Sequence, residues 1–373
     1  MKIPPPVTFE VNSSALAGQI AALPTSAGIY SFSLSGNPPH VGWCPNLPRR
    51  LSRLFLGTRS DTANLAARLR ERLSSLECWP TGSKLENSLL TYELVRAHFP
   101  GDYLQRLRLR MPWLVGLASA DPFPRLIAAN RLGRAGGPRF GPFVSRDAAQ
   151  RYEQEVLTLF QIRRCVEPLA PHPDHPGCIY GEINQCLRPC QCAATAEEYA
   201  SEVSRVQDFL ASNGRSAVAA LSVQRERACA DLQFEEAAQI HKRIENLSAV
   251  AALRDEVVGE VEHFNGVALT AGAEKRSFCL WPMFEARWQE PIVLNFAAED
   301  QNAKSLDQRL RALLSEALQL PDQEGNALEH LALFSRWYYS SWRDGTWFPF
   351  RTLNDLNYRR LVREISNLVK AAQ

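Results

Sequence analysis

The sequence predicts a multidomain α+β protein. With 373 residues, the chain is long enough for two or three domains that each bury a core. Stretches in which apolar residues alternate, as in strands, are interspersed with stretches of helical periodicity. Five of the nine cysteines lie between residues 165 and 192, which sets a cysteine-rich segment apart in the middle of the chain.

The composition is that of an ordinary globular protein. Apolar residues make up 45% of the chain and charged residues 22%, which excludes a disordered or collagen-like protein. No run approaches the roughly 20 apolar residues that a membrane span needs, so we expect no membrane partner. The first fourteen residues contain no continuous apolar stretch that could act as a secretory signal, and we therefore expect a cytoplasmic protein.

The charge is distributed unevenly along the chain. Residues 1–165 contain 21 Lys and Arg against 11 Asp and Glu, whereas the remainder contains 21 against 29. Only six of the basic residues are lysines, and arginine suits bidentate contacts with phosphate. A basic first half attracts polyanions, which makes nucleic acid a candidate partner.

Residues 1–25 form an N-terminal extension, and residues 26–110 are expected to form a small α/β domain. Its first strand covers residues 28–34, which alternate and end at a turn-forming Ser-Gly-Asn-Pro sequence. Asn46 is a suitable N-cap for the helix that follows, on which Leu47, Leu51 and Leu54 share one buried face. A second helix is predicted over residues 84–98.

Residues 111–195 are expected to form an arginine-rich linker, a helix over about 145–160 and the cysteine module. Residues 196–250 begin at a capping box of Thr195 and Glu198 and continue into a helical hairpin. Residues 256–373 are expected to form a divergent α+β domain. Its predicted elements are strands at 257–264, 267–270 and 277–281, a hairpin turn at Asn265-Gly266, and helices at 305–318 and 326–342.

Four cysteines have the spacing of a metal-binding group. Cys165, Cys178, Cys186 and Cys190 follow the pattern C-x12-C-x7-C-x3-C. Thiolates are ligands of both zinc and iron–sulfur clusters, and the spacing does not distinguish the two. The cysteines at 44, 78, 229 and 279 are interpreted as small core residues, and Cys192 as a spare thiol or alternative ligand.

A series of short motifs resembles the UvrC/Cho family of DNA-repair nucleases. The series begins with Gly28-Ile29-Tyr30, His40-Val41-Gly42 and Arg50, which resemble the family's N-terminal nuclease domain of GIY-YIG type. It continues in the family's order over about residues 25–250. The later motifs are Phe123-Pro124-Arg125, Arg139-Phe140-Gly141-Pro142-Phe143, the approach to Cys165, the four cysteines, and Phe234-Glu235-Glu236-Ala237-Ala238.

The resemblance implies a cofactor and two partners. It implies that Cys165, Cys178, Cys186 and Cys190 hold a [4Fe–4S] cluster. It also implies that the protein binds DNA in nucleotide excision repair, and that the hairpin near Phe234 resembles the UVR hairpin, which contacts UvrB. The second nuclease domain and the helix-hairpin-helix module of UvrC are not recognisable in the sequence.

The resemblance also implies a catalytic site that has lost its metal ligand. Tyr30 and Arg50 match catalytic residues of the family, whereas His40 replaces a tyrosine and Thr91 stands at the position of the metal-binding glutamate. Threonine is a poor ligand for Mg²⁺, which prefers carboxylates. We therefore expect a degenerate nuclease site. The first alternative is an active, Mg²⁺- or Mn²⁺-dependent structure-selective endonuclease, and the second is a non-enzymatic nucleic-acid or protein interaction module.

Two further sets of residues are candidates for DNA contact. The exposed arginines predicted to meet phosphate are Arg49, Arg53, Arg106, Arg108, Arg110 and Arg139, of which those at 106, 108 and 110 alternate as on one side of a strand. Eight aromatic residues between 334 and 350 could stack on single-stranded bases, but a buried aromatic core is the favoured interpretation.

Overall fold

The computed structural model of the protein describes residues 2–11, 15–57, 60–118, 123–131, 137–296, 305–319 and 326–371. The chain divides into two compact units. One combines residues 1–110 with 265–373, and the other consists of residues 111–264. Each contains helices and antiparallel sheets, so the predicted α+β class is confirmed.

The N-terminal part of the first unit is a four-stranded sheet of order β1-β4-β2-β3 with helices on both faces. Its elements are β1 (Val7–Thr8), α1 (Leu16–Ala21), β2 (Gly28–Leu34), β3 (His40–Cys44), α2 (Leu47–Phe55), α3 (Ser60–Arg72), β4 (Leu73–Pro80), α4 (Lys84–His98) and α5 (Tyr103–Leu107). The strand and the helix predicted at 28–34 and 84–98 are confirmed.

The two faces of this sheet bury different side chains. Tyr30 lies on the face that packs against α1 and α2, in a cluster with Leu51 and Phe55. Ile29 lies on the opposite face and packs with Leu90 of α4. Because neighbouring residues of a strand point to opposite faces, the alternation of β2 places α2 and α4 on opposite sides of the sheet.

Asn46 caps α2 as predicted, since its side-chain oxygen accepts a hydrogen bond from the Arg49 N–H at 2.9 Å. The strand predicted for the arginines at 106, 108 and 110 is wrong. Residues 103–107 form α5, in which Arg106 pairs with Asp102 at 2.8 Å, an i,i+4 contact that supports a helical turn. Arg108 ends the helix in the left-handed conformation.

The second unit surrounds one sheet of order β6-β5-β7-β8. Its elements are β5 (Trp113–Ala118), β6 (Arg125–Ala129), β7 (Arg139–Phe143), α6 (Arg146–Leu159), α7 (Ile179–Glu182), α8 (Ala196–Ser212), α9 (Arg215–Ala230), α10 (Phe234–Ala251) and β8 (Gly259–Glu260). The core lies between the sheet, α6 and α8. The capping box of Thr195 and Glu198 and the hairpin of α9 and α10 are confirmed.

The strand predicted at 257–264 is wrong. Only the two residues of β8 pair with the sheet, and a 3₁₀ turn over Val261–His263 follows. The buried Val258, Val261 and Phe264 recur every third residue, which is the period of a 3₁₀ turn rather than of a strand.

The C-terminal part completes the first unit with a five-stranded antiparallel sheet, in which β12 pairs with β10 beside the path β11-β10-β9-β13. Its elements are β9 (Asn265–Ala271), β10 (Ser277–Phe284), β11 (Arg287–Trp288), β12 (Ile292–Asn295), α11 (Leu306–Gln319), α12 (Ala327–Tyr338), β13 (Thr346–Phe350) and α13 (Tyr358–Ala371). Helices α11 and α12 were predicted; β13 and α13 were not.

The hairpin turn predicted at Asn265-Gly266 is wrong, because these residues open β9. Gly266 pairs with Met283 on one side and with Pro349 on the other. A Cβ at this position would meet the Trp347 ring at 2.1 Å, so the glycine serves close packing here and not a turn.

Five of the eight aromatic residues between 334 and 350 form a buried core, as favoured, whereas Tyr338, Tyr339 and Trp342 are half-buried. Phe334, Trp337, Trp347, Phe348 and Phe350 are all buried. They are therefore not available as a platform for bases. No helix in the described part of the chain is long and apolar enough to cross a membrane.

Candidate functional site

Tyr30, His40 and Arg50 come together on one face of the first sheet. Strands β2 and β3 pair so that Tyr30 lies opposite Gly42, and the Arg50 Nε on α2 donates a hydrogen bond to the Tyr30 hydroxyl at 3.1 Å. The His40 ring lies 6.1 Å from the Tyr30 ring. The pKa of His40 is lowered by partial burial and by the positive charge of Arg50, which favours the neutral imidazole.

Gly42 is required by the Tyr30 ring. A Cβ at Gly42 would lie 2.6 Å from the Tyr30 Cζ and hydroxyl oxygen, and this side chain is buried and bonded to Arg50. We expect Gly42→Ala to lower the free energy of unfolding by about 1–3 kcal/mol, the usual cost of overpacking. Denaturant unfolding measures this. Gly18→Ala is the matched control, because a Cβ there meets nothing within 4 Å. Equal stability of the two variants would contradict the packing described.

Thr91 lies apart from these three residues. Its helix, α4, packs on the sheet face opposite to Tyr30, and the threonine lines a cavity together with Trp43. The neighbouring carboxylates of α4 are engaged elsewhere. Glu86 accepts a hydrogen bond from the Gly82 N–H at 2.7 Å, with its pKa raised by burial, and Glu93 lies 4.0 Å from the Arg96 guanidinium.

The four clustered cysteines lie on the loops that enclose the short helix α7. Cys178 precedes α7, and Cys190 lies in a 3₁₀ turn over Pro189–Gln191. Burial raises the pKa of Cys186, and the charges of Cys178, Cys165 and Cys190 raise it further, so the four sulfurs are within electrostatic reach of one another. Among the described residues, no group of three or more His, Cys, Asp or Glu side chains is close enough to hold a single metal ion as it stands.

Backbone and arginine donors face two of these sulfurs. The Arg188 N–H donates to the Cys186 Sγ at 3.4 Å, and the Arg163 guanidinium lies 3.9 Å from the Cys165 Sγ. Arg163 is itself buried and donates to the carbonyl oxygens of Phe123 and Glu167 at 2.7 and 3.2 Å. Donors to sulfur stabilise thiolates and tune any centre that the thiolates bind.

Tyr199 fixes the backbone that leads to Cys165. Its buried hydroxyl donates to the Pro124 carbonyl at 2.8 Å and accepts from the Arg163 N–H at 2.9 Å. The motifs in the sequence do not single out Tyr199 for this role. The sequence feature that points to it is its position in the first turn of the capping-box helix, directly after the cysteines.

The other cysteines divide into two classes. Cys44, Cys78 and Cys279 are buried as expected, and burial raises the pKa of Cys78 and of Cys279 to about 12. The prediction that Cys229 is a core residue is wrong, because its side chain is exposed. It lies near the end of α9, whose face toward the core contains smaller residues such as Ala228. Cys192 is exposed as well.

The predicted DNA-contacting arginines are not equally accessible. Arg49, Arg53, Arg108 and Arg110 are exposed, and Arg106 is exposed although it pairs with Asp102 and covers the Phe99 ring. The prediction for Arg139 is wrong. Its side chain is 5% exposed and donates to Glu262 at 2.6 and 2.8 Å, so it stabilises β7 instead of meeting solvent. The motif around it consists entirely of buried residues.

The helical hairpin presents apolar side chains at its tip. Leu232 in the turn is 71% exposed and Phe234 at the start of α10 is 66% exposed. The inner faces of the two helices pack through Ala228, Ala237 and Ile240. The tip is therefore a surface on which a partner could bury apolar area.

Comparisons with known proteins give a consistent result. Residues 112–209 match the family model described as UvrC/Cho excinuclease, middle domain. The UvrABC system protein C of Alcanivorax borkumensis is 30% identical over 226 residues, which cover 60% of this chain and 36% of that protein. Those of Nitratidesulfovibrio vulgaris and Chlorobaculum tepidum are 28% and 27% identical, over 67% and 70% of this chain and 38% and 42% of theirs. This chain thus spans well under half the length of these relatives. No solved structure matches it at a significant level.

Proposed function

Because this chain belongs to the UvrC/Cho family, we propose that it is a DNA-binding protein of nucleotide excision repair with a degenerate nuclease site. Residues 26–110 would be the GIY-YIG-type domain, working in the cytoplasm. The match of residues 112–209 is the observation on which the repair role depends most. The relatives are named as proteins of the UvrABC system.

The degenerate site is inferred from the separation of its parts. Arg50 and Tyr30 could still bind and orient a phosphate, since a guanidinium and a phenol hydroxyl both donate. Thr91, proposed to stand at the glutamate position, is neutral and lies on the helix that packs on the other face of the sheet. A nuclease that lacks its carboxylate ligand loses the metal's charge stabilisation, which contributes several kcal/mol.

A cleavage assay tests this part of the proposal. The full chain is incubated with damaged or branched DNA and Mg²⁺ or Mn²⁺, and cleavage is compared with that of Arg50→Ala. We expect no cleavage above the variant's background, because positioning groups alone do not replace the metal. Cleavage by the wild type that disappears in Arg50→Ala would favour the alternative, an active structure-selective endonuclease in which His40 or Tyr30 activates water.

DNA binding itself is tested by a salt series. If Arg49, Arg53, Arg108 and Arg110 neutralise phosphates, the logarithm of the affinity falls linearly with the logarithm of salt concentration, with a slope of about −0.9 per phosphate. A binding constant that does not change with salt, or a preference for RNA or protein alone, would favour the non-enzymatic interaction module.

The four cysteines are proposed to hold a [4Fe–4S] cluster. The donor set fits, because Cys186 lies within electrostatic reach of the other three thiols and two of the four sulfurs have N–H donors nearby. A single tetrahedral zinc at about 2.3 Å from each sulfur would need the thiols drawn together more closely than a four-iron cluster does. The chain's own residues would supply Cys165, Cys178, Cys186 and Cys190 as ligands and the Arg188 N–H as a donor to sulfur. The cluster would supply a redox-capable and structural centre.

The hairpin is proposed to dock on a UvrB-like repair protein. The exposed Leu232 and Phe234 at its tip provide the apolar contact, and Glu235 and Glu236 follow them in the first turn of α10. An aromatic anchor with a polar rim is the usual composition of a binding hot spot.

A further inference from the structure

A cavity of about 410 Å³ lies within the first unit, between the N-terminal and C-terminal parts of the chain. This volume is within the range of small-molecule sites, about 300–1,000 Å³. Trp43, at the end of β3, and Trp342, which follows α12, contribute two indole rings to its walls. Trp43 is 48% exposed, and so high an exposure is unusual for a tryptophan side chain.

The charged groups that line the cavity are both cations, which suits an anion. Lys84 and Arg336 line it, and both are exposed. The Lys84 ammonium lies 5.5 Å from the centre of the Trp342 ring, which holds the cation at the cavity wall. Among the described residues that line the cavity, none is acidic. Thr91 also lines the cavity.

One wall of the cavity belongs to the arginine-rich segment. Leu107 and Leu109 line it, and the exposed Arg108 and Arg110 alternate with them along the chain. The cavity is therefore continuous with the surface proposed to meet DNA phosphates. It is separate from the cluster of Tyr30, His40 and Arg50, which lies on the other face of the sheet.

We infer that this cavity binds one nucleotide of single-stranded DNA, with the base against the indoles of Trp43 and Trp342 and a phosphate at Lys84 and Arg336. The inference rests on the proposed DNA-binding function. A base is flat and apolar on its faces, so it suits the indoles, and stacking on aromatic rings tolerates any base. The adjacent phosphate suits the two cations, because no carboxylate is among the described lining residues and the nearby Asp344 carboxylate is bonded to the Lys84 backbone N–H.

A pair of DNA probes tests the inference. Binding of the full chain to fluorescein-labelled (dT)₂₀ is compared by anisotropy with binding to an abasic strand of the same length and charge. The wild type is expected to bind (dT)₂₀ about tenfold more tightly, within the range for stacking of one base. Trp43→Ala is expected to remove this preference and leave the affinity for the abasic strand unchanged. Lys275→Ala, at an exposed lysine outside the cavity, is expected to keep the preference.

The remaining outcomes are distinguishable. If Trp43→Ala keeps the preference, or lowers both affinities equally, the cavity assignment is overturned while DNA binding stands. If the wild type binds neither strand at any salt concentration, the proposed function itself fails. If free dTMP binds in a Trp43-dependent way while the two strands bind equally, the cavity takes free nucleotides, and the assignment to a DNA strand is overturned.

Discussion

Glu329→Ala is expected to lower the free energy of unfolding by about 3–5 kcal/mol, because it removes the acceptor of two hydrogen bonds to a charged group. Glu329 on α12 is 4% exposed. The Tyr92 hydroxyl donates to it at 2.6 Å and the Tyr103 hydroxyl at 3.0 Å, so one carboxylate joins α12 to α4 and α5. Burial and the bond to Glu329 raise the pKa of Tyr92 well above its usual range, which keeps this donor protonated.

Two further variants serve as comparisons for Glu329→Ala. Glu329→Gln keeps one oxygen acceptor and is expected to lose less stability than Glu329→Ala. Glu316→Ala removes an exposed glutamate and is expected to change stability by no more than about 0.5 kcal/mol. Chemical denaturation of all three is the measurement. If Glu329→Ala and Glu316→Ala unfold at the same denaturant concentration, the carboxylate does not stabilise the unit.

Acid is expected to destabilise the first unit through His330. Burial, together with the positive charges of Arg96 and Arg287, lowers the pKa of this histidine to about 3. Its Nδ1 accepts a hydrogen bond from the backbone N–H of Trp288 at 3.0 Å. A proton on Nδ1 would therefore leave this buried N–H without its acceptor. The unfolded chain takes up this proton near pH 6.5 and the folded chain only near pH 3.

The stability that the neutral histidine contributes is therefore present above pH 6.5 and is lost as the pH falls toward 3. The loss is at most about 1.4 kcal/mol per pH unit, and about 5 kcal/mol over the whole range. The measurement is the unfolding free energy between pH 7 and pH 4 for the wild type and for His330→Asn, which cannot take up a proton. The wild type is expected to lose stability more steeply. Parallel profiles would show that His330 is not held neutral in the fold.

The N-terminal part could be predicted well because its signals are local. The strand at 28–34, the Asn46 cap and the helix at 84–98 each depend on neighbours in the sequence, and the structure contains all three. The predictions that failed depend on distant partners. Gly266 looks like a turn residue until the Trp347 ring that covers it is known, and Arg139 looks exposed until Glu262 is known.

The candidate sites show the same division. The spacing of the cysteines identified the four thiols, but not the Tyr199 hydroxyl that holds the approach to Cys165. Glu329 was missed for the same reason. The adjacent Glu329 and His330 lie on a helix that otherwise contains mostly apolar and aromatic residues, and two ionisable groups in such a setting are a signal of buried hydrogen bonds. Their partners, on α4, α5 and β11, are not deducible from local pattern.

Iron and acid-labile sulfide analysis after anaerobic purification tests the central proposal most directly. The cluster assignment predicts about four irons and four sulfides per chain, lost in Cys186→Ser and retained in Cys229→Ser, which changes an exposed cysteine outside the group. Far-UV circular dichroism of both variants shows whether the rest of the chain stays folded. One zinc per chain without sulfide, or iron that Cys186→Ser retains, would contradict the account.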